Sequence, residues 1–184
     1  MPYKDKKMEK KYKHEWYLKN SNVRKRRIDS NPKPKFSQIE LGYITGLIDG
    51  EGSISLTWDY KKDNKKRKVF LCPRITIQMT HKETIDKVHK LLMRSNFIHS
   101  LYEVSNRSKY YKKHYKNIYR IQMYRAEEIF SLLKIIKPIL ITKKKQAKLL
   151  IEFCESRFKR KYLAYTDREW AIYKEMRGLN KRGV

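Results

Sequence analysis

Residues 41 to 56, LGYITGLIDGEGSISL, constrain this chain more than any other stretch. They are almost uncharged, set Gly42, Gly46 and Gly50 four residues apart, and place two acids, Asp49 and Glu51, at their end. On a helix, glycines at i, i+4 and i+8 line one side with no side chain, so a second helix can approach very closely. A bilayer dimer motif has this spacing, but a capped helix of roughly 13 residues is too short to span a membrane, which takes about 20. No second glycine stripe occurs in the chain. The expected neighbour is therefore the same helix of another subunit, packed across a two-fold axis, with Gly42, Tyr43 and Gly46 at the interface. That arrangement brings two copies of Asp49-Gly50-Glu51-Gly52 together, and converging carboxylates suit a hard, oxygen-binding cation such as Mg²⁺.

Charge narrows the partner. The chain holds 46 Lys and Arg against 19 Asp and Glu, a formal net charge of +27, which points to a polyanion and first of all to nucleic acid. No apolar run is long enough to cross a membrane and no signal-peptide pattern opens the chain, so a soluble, intracellular protein of a prokaryotic cytoplasm or nucleoid, or of an organelle, is expected. Cys72 and Cys154 lack metal or redox spacing and predict plain thiols in a reducing compartment.

Local signals give the order of elements. Residues 1–35 carry 13 Lys/Arg and 4 Asp/Glu and read as a basic arm and linker ending in Asn31-Pro32-Lys33-Pro34. Ser37-x-x-Glu40 is a capping box, flanked by Phe36 and Leu41 as a hydrophobic staple, and predicts a helix to about Asp49. From residue 53, Ser53, Ser55, Thr57 and Asp59 alternate with Ile54, Leu56, Trp58 and Tyr60. After KKDNKKRK the alternation returns, with Leu71, Ile75, Ile77 and Met79 opposite Cys72, Arg74, Thr76 and Gln78, so two strands form a hairpin.

Thr80-x-x-Glu83 predicts the next helix cap, with Ile85, Val88, Leu91 and Leu92 as its buried stripe. Residues 97–104 and 118–124 read as a second strand pair around a basic, aromatic tip. Helices follow over 125–136 and, capped by Thr142, over 143–160. A last helix opens at Thr166-x-x-Glu169 and is expected to stop at a left-handed Gly178. The predicted organisation is an arm over 1–35, a core over 36–160 and a helical extension over 161–184. The fold class is α+β, in the order α-β-β-α-β-β-α with extra C-terminal helices. Its antiparallel four-stranded sheet would be curved, helix-covered on its apolar side and free to read a DNA major groove with its polar side.

YITGLIDGEGSI, residues 43 to 54, resembles the motif of the LAGLIDADG homing endonucleases. RITIQMTHKE at 74–83, IYRIQMYRAEEIFSLL at 118–133 and KPILITKKKQAKLLIEF at 137–153 are similar to segments of single-motif members, so about 120 residues carry the likeness. The resemblance implies the LAGLIDADG endonuclease fold and a homodimeric, intron-encoded, site-specific enzyme. Such an enzyme makes a staggered double-strand break with 3′ overhangs in a long near-palindromic duplex, using Mg²⁺, with Ca²⁺ expected to bind without supporting cleavage. It assigns the metal to Glu51 and the Gly50 carbonyl, transition-state charge to Lys143, ordering of active-site water to His81, and support of the helix junction, or a direct part in the reaction, to Asp49.

The residues themselves propose Ser53, Ser55, Thr57, Arg74, Thr76, Gln78, Arg120 and Gln122 for base reading. For phosphates they propose Lys61, Lys65, Lys66, Arg67 and Lys68 at one tip, and Lys109, Lys112 and Lys113 at the other. His14, His89, His99 and His114 show no zinc spacing and read as surface or nucleic-acid contacts. A maturase acting on its own intron RNA and a non-catalytic DNA-binding regulator would use the same scaffold, and both stay open.

Overall fold

The structure, a computed structural model, describes residues 36–63, 66–104, 117–160 and 163–181, without the side chains of 61–63, 66–68 and 104. The basic arm over 1–35, Lys65, Lys109, Lys112, Lys113, His14 and His114 lie outside the described residues, as do the side chains of Lys61, Lys66, Arg67 and Lys68.

The chain runs α1 (Gln38–Gly50), β1 (Gly52–Asp63), β2 (Lys66–Met79), α2 (Lys82–Arg94), β3 (Ser100–Val104), β4 (Ile118–Met123), α3 (Ala126–Ile136), α4 (Lys144–Arg160) and α5 (Asp167–Leu179). This is the expected α-β-β-α-β-β-α order with added helices. The first cap forms as its sequence dictates. Glu40 N donates to Ser37 Oγ at 3.3 Å and Ser37 N to Glu40 Oε2 at 2.8 Å, and Phe36 stacks on Phe97 with ring centres 5.9 Å apart. The Arg94 guanidinium, 2.6 Å from Glu40, holds that carboxyl below its ordinary pKa, with help from the Ser37 backbone.

The sheet order is β1-β2-β4-β3, all antiparallel. The two hairpins are therefore joined through β2 and β4, where Ile75 to Met79 pair with Met123 to Tyr119. Pro73 lies on the part of β2 that meets β1 alone, where a missing N–H breaks no second ladder. Ile54, Leu56, Leu71, Ile75, Ile77, Ile121 and Met123 are buried under the helices. The buried stripe of α2 is the expected one, and α4 contributes Ala147, Leu150, Phe153 and Cys154 to the same core.

Residues beyond 160 belong to that core too. Ile172, Tyr173 and Met176 of α5 are buried in it. Tyr165 Oη accepts from Leu71 N at 2.9 Å, and Asn180 Nδ2 donates to Ile54 O at 2.9 Å. The C-terminal segment thus satisfies backbone groups that β1, an edge strand, and the singly paired part of β2 leave open.

Four local expectations are corrected. The cap of α2 is His81, one residue after Thr80; its ring accepts from Thr84 N. Thr142 does not cap its own helix but donates its hydroxyl to Asp49. Gly178 lies inside α5, which runs to Leu179 and is capped by Asn180 with φ −99°, so no left-handed residue is needed there. Strand β3 begins at Ser100, after a turn in which Asn96 takes φ 58°.

Candidate functional site

The glycine-bearing side of α1 is open. A Cβ on Gly42, Gly46 or Gly50 would meet nothing within 4 Å. Ile39, seven residues before Gly46 and hence on the same side of the helix, is 85% exposed. The opposite side buries Ile44, Thr45 and Ile48, and Thr45 donates its hydroxyl to Leu41 O at 2.7 Å. Tyr43 is half-buried, with the Lys87 ammonium of α2 4.8 Å from its ring centre. A fully apolar strip of helix thus faces solvent on a chain of net charge +27. Ile39 was missed in the sequence because it precedes the glycine run, although its spacing carries the signal.

Gly52 is required for a different reason. A Cβ there would lie 2.7 Å from both Cα and O of Ile48, so the strand crosses the last helical turn in direct backbone contact. That contact makes the sharp α1-to-β1 turn, and Glu51 is its corner. Glu51 N closes the helix by donating to Leu47 O at 2.9 Å, while the Glu51 side chain stands exposed. Its carboxylate has no hydrogen-bond partner among the described residues.

Asp49 is fully engaged by the start of α4. Its carboxylate accepts from Ile141 N at 2.7 Å, Lys143 N at 3.0 Å and the Thr142 hydroxyl at 2.9 Å. Its carbonyl accepts from Thr142 Oγ1 at 3.2 Å and from the Lys143 ammonium. Burial alone would raise the Asp49 pKa, but these backbone and hydroxyl donors and the Lys143 charge hold it below the ordinary value. Asp49 therefore caps, from another helix, the turn that carries Lys143. The Lys143 ammonium is brought to the negative end of the α1 dipole, one residue from Gly50 and two from Glu51. Ile141, 84% exposed, sits on the same turn.

His81 lies two residues past Met79, the last residue of β2, and two residues before Met79 Ile77 pairs with Gly52, so His81 extends from the end of β2 nearest this junction. Its Nδ1 lies 2.9 Å from Thr84 Oγ1 and serves as the helix cap. His89 and His99 are not simple surface groups. They meet at 2.7 Å, half-buried, while the other ring nitrogen of His99 is 2.9 Å from Phe97 O. Burial, and secondly the neighbouring His89, lower the His99 pKa against that hydrogen bond.

Pairing brings the proposed base-reading residues onto one face. Ser53 meets Thr76, Ser55 meets Arg74, Thr76 meets Gln122 and Gln78 meets Arg120. Ser100 and Tyr102 complete the same face from β3; they were missed because residues 97–104 show no clean alternation. Nε and Nη2 of Arg120 both donate to Gln78 Oε1, at 2.8 and 2.6 Å, which fixes the guanidinium and leaves its other donors for a partner. Among the described residues of this face Asp59 and, at the far end of β1, Asp63 are the acids, whereas acids are frequent on the helices.

Among the described residues no group of three or more His, Cys, Asp or Glu could hold a metal ion by itself, and no helix is long and apolar enough to cross a membrane. The donors that the motif does offer, a free carboxylate at Glu51 and a helix-end carbonyl at Gly50, are hard oxygens that fit Mg²⁺ or Ca²⁺ in kind. They are too few for a cation that takes about six or more ligands, so phosphate oxygens, water or a second subunit must complete the set.

An antiparallel sheet with one polar face, backed by helices and flanked by an acid-tipped glycine helix, defines a class. Residues 38–137 match the family model of the LAGLIDADG-like domain, and the chain belongs to that family. It resembles the archaeal intron-encoded homing endonuclease I-Vdi141I complexed with DNA at 21% identity and TM-score 0.61, over 79% of this chain and 87% of that one. The group I intron-encoded homing endonuclease I-CeuI complexed with DNA matches at 13% identity and TM-score 0.60, over 91% and 82%. The homing endonuclease I-CvuI, in complex with its target in the presence of Ca, matches at 14% identity and TM-score 0.56, over 80% and 85%. At these identities the likeness establishes a shared fold. No protein of curated function matches the chain.

Proposed function

We propose that this chain is a site-specific, intron-encoded homing endonuclease that cuts duplex DNA as a homodimer with Mg²⁺. The observation that carries the reading is the junction at the end of α1: an open, apolar helix face runs into the exposed Glu51, and Asp49 ties Lys143 to the same turn. Packing α1 against its copy about a two-fold axis covers Ile39, Gly42 and Gly46 and sets one Glu51 over each DNA strand. Each sheet then reads half of a long, near-palindromic site with Ser53, Ser55, Thr57, Arg74, Thr76, Gln78, Arg120 and Gln122. The basic hairpin tips follow the phosphates.

Glu51 and the Gly50 carbonyl would hold the cation, which, when bound, supplies Lewis-acid stabilisation of the scissile phosphate and a nucleophile at neutral pH. Lys143 offsets the negative charge that develops on the phosphate. His81, with Nδ1 committed to the cap, keeps Nε2 to orient water. Asp49 touches no substrate and fixes Lys143 relative to Glu51. The product is a staggered break with 3′ overhangs. The test is digestion of a library of candidate insertion sites by wild-type and Glu51→Gln protein, with Mg²⁺ and with Ca²⁺. Wild type should cut one long near-palindromic site with Mg²⁺ and only bind it with Ca²⁺, and Glu51→Gln should bind without cutting. Loss of binding in Glu51→Gln would make the residue structural, and tight binding by wild type without cleavage would make the protein a maturase or a regulator.

A further inference from the structure

Gln78 and Arg120 are cross-strand partners on the polar side of the sheet. Nε and Nη2 of the guanidinium both donate to Gln78 Oε1, at 2.8 and 2.6 Å. An arginine has no acceptor, so the amide atom that faces it is the carbonyl oxygen, and two donors fill that oxygen's two lone pairs. This clamp has a consequence for each residue. On Arg120 it takes the Nε edge of the guanidinium and leaves the fork of Nη1 and Nη2 free. On Gln78 it removes the acceptor and leaves the amide nitrogen, so the residue becomes a donor only. The partner of the guanidinium is a neutral amide, so no acid offsets its charge within the pair, and the acids of this face, Asp59 and Asp63, lie toward the other end of β1.

A glutamine that reads a base alone favours adenine, donating to N7 while its carbonyl accepts from the N6 amino group. Gln78 cannot do this, because its carbonyl is occupied by Arg120. A couple that presents donors alone requires acceptors alone. Guanine is the one base whose major-groove edge offers two acceptors, N7 and O6, and no donor. The couple's place along the sheet is fixed too. Ile77 pairs with Gly52, the first residue of β1, so Gln78 and Arg120 stand at the end of the sheet nearest the Glu51 corner, while the β1–β2 tip is at the opposite end. We propose, resting on the duplex reading above, that Arg120, clamped by Gln78, reads one guanine at the inner end of each half-site, on the side nearest the cut.

Binding selection from a randomised duplex library with Ca²⁺, followed by sequencing, reads the base preference of the full wild-type chain, Arg120→Ala and Gln78→Ala at every position. Wild type should enrich a G·C pair at two symmetric positions near the centre of its site. In Arg120→Ala the discrimination against other bases should fall about 5- to 150-fold at that pair alone, and the preferences kept elsewhere show that the variant folds. Gln78→Ala should relax the same pair and no other. Replacing that guanine by 7-deazaguanine, which removes the N7 acceptor, should weaken binding by wild type and leave Arg120→Ala unaffected; the wild-type half of this measurement stands even where a variant does not fold. An adenine at the Arg120-dependent pair, a Gln78→Ala change at a different pair, or a wild type indifferent to 7-deazaguanine overturns the guanine contact. Weakening of Arg120→Ala by the same factor on all sequences overturns it as well and assigns the guanidinium to a phosphate. A wild type that enriches no duplex refutes the endonuclease reading together with the contact, whereas an enriched site without an Arg120-dependent guanine refutes the contact alone.

Discussion

The motif glycines separate into two kinds, and alanine substitution should expose the difference. At Gly52 an added Cβ would stand 2.7 Å from Ile48 Cα and O and 3.1 Å from Ile48 C. Carbon atoms in contact sit about 3.5–4.0 Å apart, so the overlap approaches an ångström. It falls on the backbone of a residue that is 0% exposed, with no side chain to rotate away. Relief requires β1 to lift from the last turn of α1. Overpacking typically costs about 1–3 kcal/mol, and a backbone clash belongs at the upper end. At about 2–4 °C per kcal/mol for a chain of this size, Gly52→Ala should lower Tm by roughly 6–12 °C. Gly46→Ala meets nothing within 4 Å, so the single chain should gain up to about 1 kcal/mol of helix propensity. If α1 packs on its copy, the added methyl should instead weaken self-association. Circular-dichroism melts with sedimentation at two protein concentrations measure both effects. A Gly52→Ala melt within about 2 °C of wild type would refute the contact argument.

Three further outcomes follow from named contacts. Asp49→Asn should lose about 1–2 kcal/mol at pH 7 by urea unfolding. The folded-state pKa of Asp49 is depressed, so its contribution is present above the unfolded value of about 3.9 and is lost as pH falls through the folded value; the gap between variant and wild type should therefore close in acid, and a gap independent of pH would contradict it. Tyr165→Phe removes the acceptor of Leu71 N, which should cost about 1–3 kcal/mol and speed amide exchange at Leu71; unchanged exchange there would show the bond to be unimportant. Burial first, then Glu127 and Glu155, pushes the Cys154 thiol up to about 12, so iodoacetamide at pH 8 should leave Cys154 of the folded chain unmodified, as mass spectrometry would show, and rapid alkylation would refute its burial.

What could be read from the sequence was what neighbouring residues decide. Capping boxes at Ser37 and Thr166 act over three residues, and the alternation of β1 and β2 acts over two, so these elements, the α2 stripe and the polar face formed as expected. The local rules failed where two caps competed at adjacent positions, as at Thr80 and His81, where the histidine ring reaches Thr84. They also failed where burial stopped: Trp58 and Tyr60 keep the apolar phase of β1 but outrun the helices that would cover them. The junction was only half legible. Glu51 and its glycines stand in one segment, but the bonds from Ile141, Thr142 and Lys143 to Asp49 cross 92 to 94 residues, a distance over which no periodicity or capping rule operates.

Those long-range bonds change what the first acid of the motif is for. A carboxylate that accepts two backbone N–H groups and a hydroxyl is not available as a base or a ligand without dismantling the turn that holds Lys143. The second acid, one residue past the helix, has no such ties. A pair of acids with the same chemistry is thereby divided by its surroundings: Asp49 is tied to the turn that carries the lysine, and Glu51 keeps an exposed carboxylate without such ties. The two conservative exchanges should then differ. In Asp49→Glu the longer side chain displaces the acceptor from Ile141 and Lys143, which should lower both stability and cleavage. Glu51→Asp leaves the cap untouched, so it should keep stability and, with the carboxylate retained, part of the cleavage. Equal stability of the two variants in urea would contradict this division of labour.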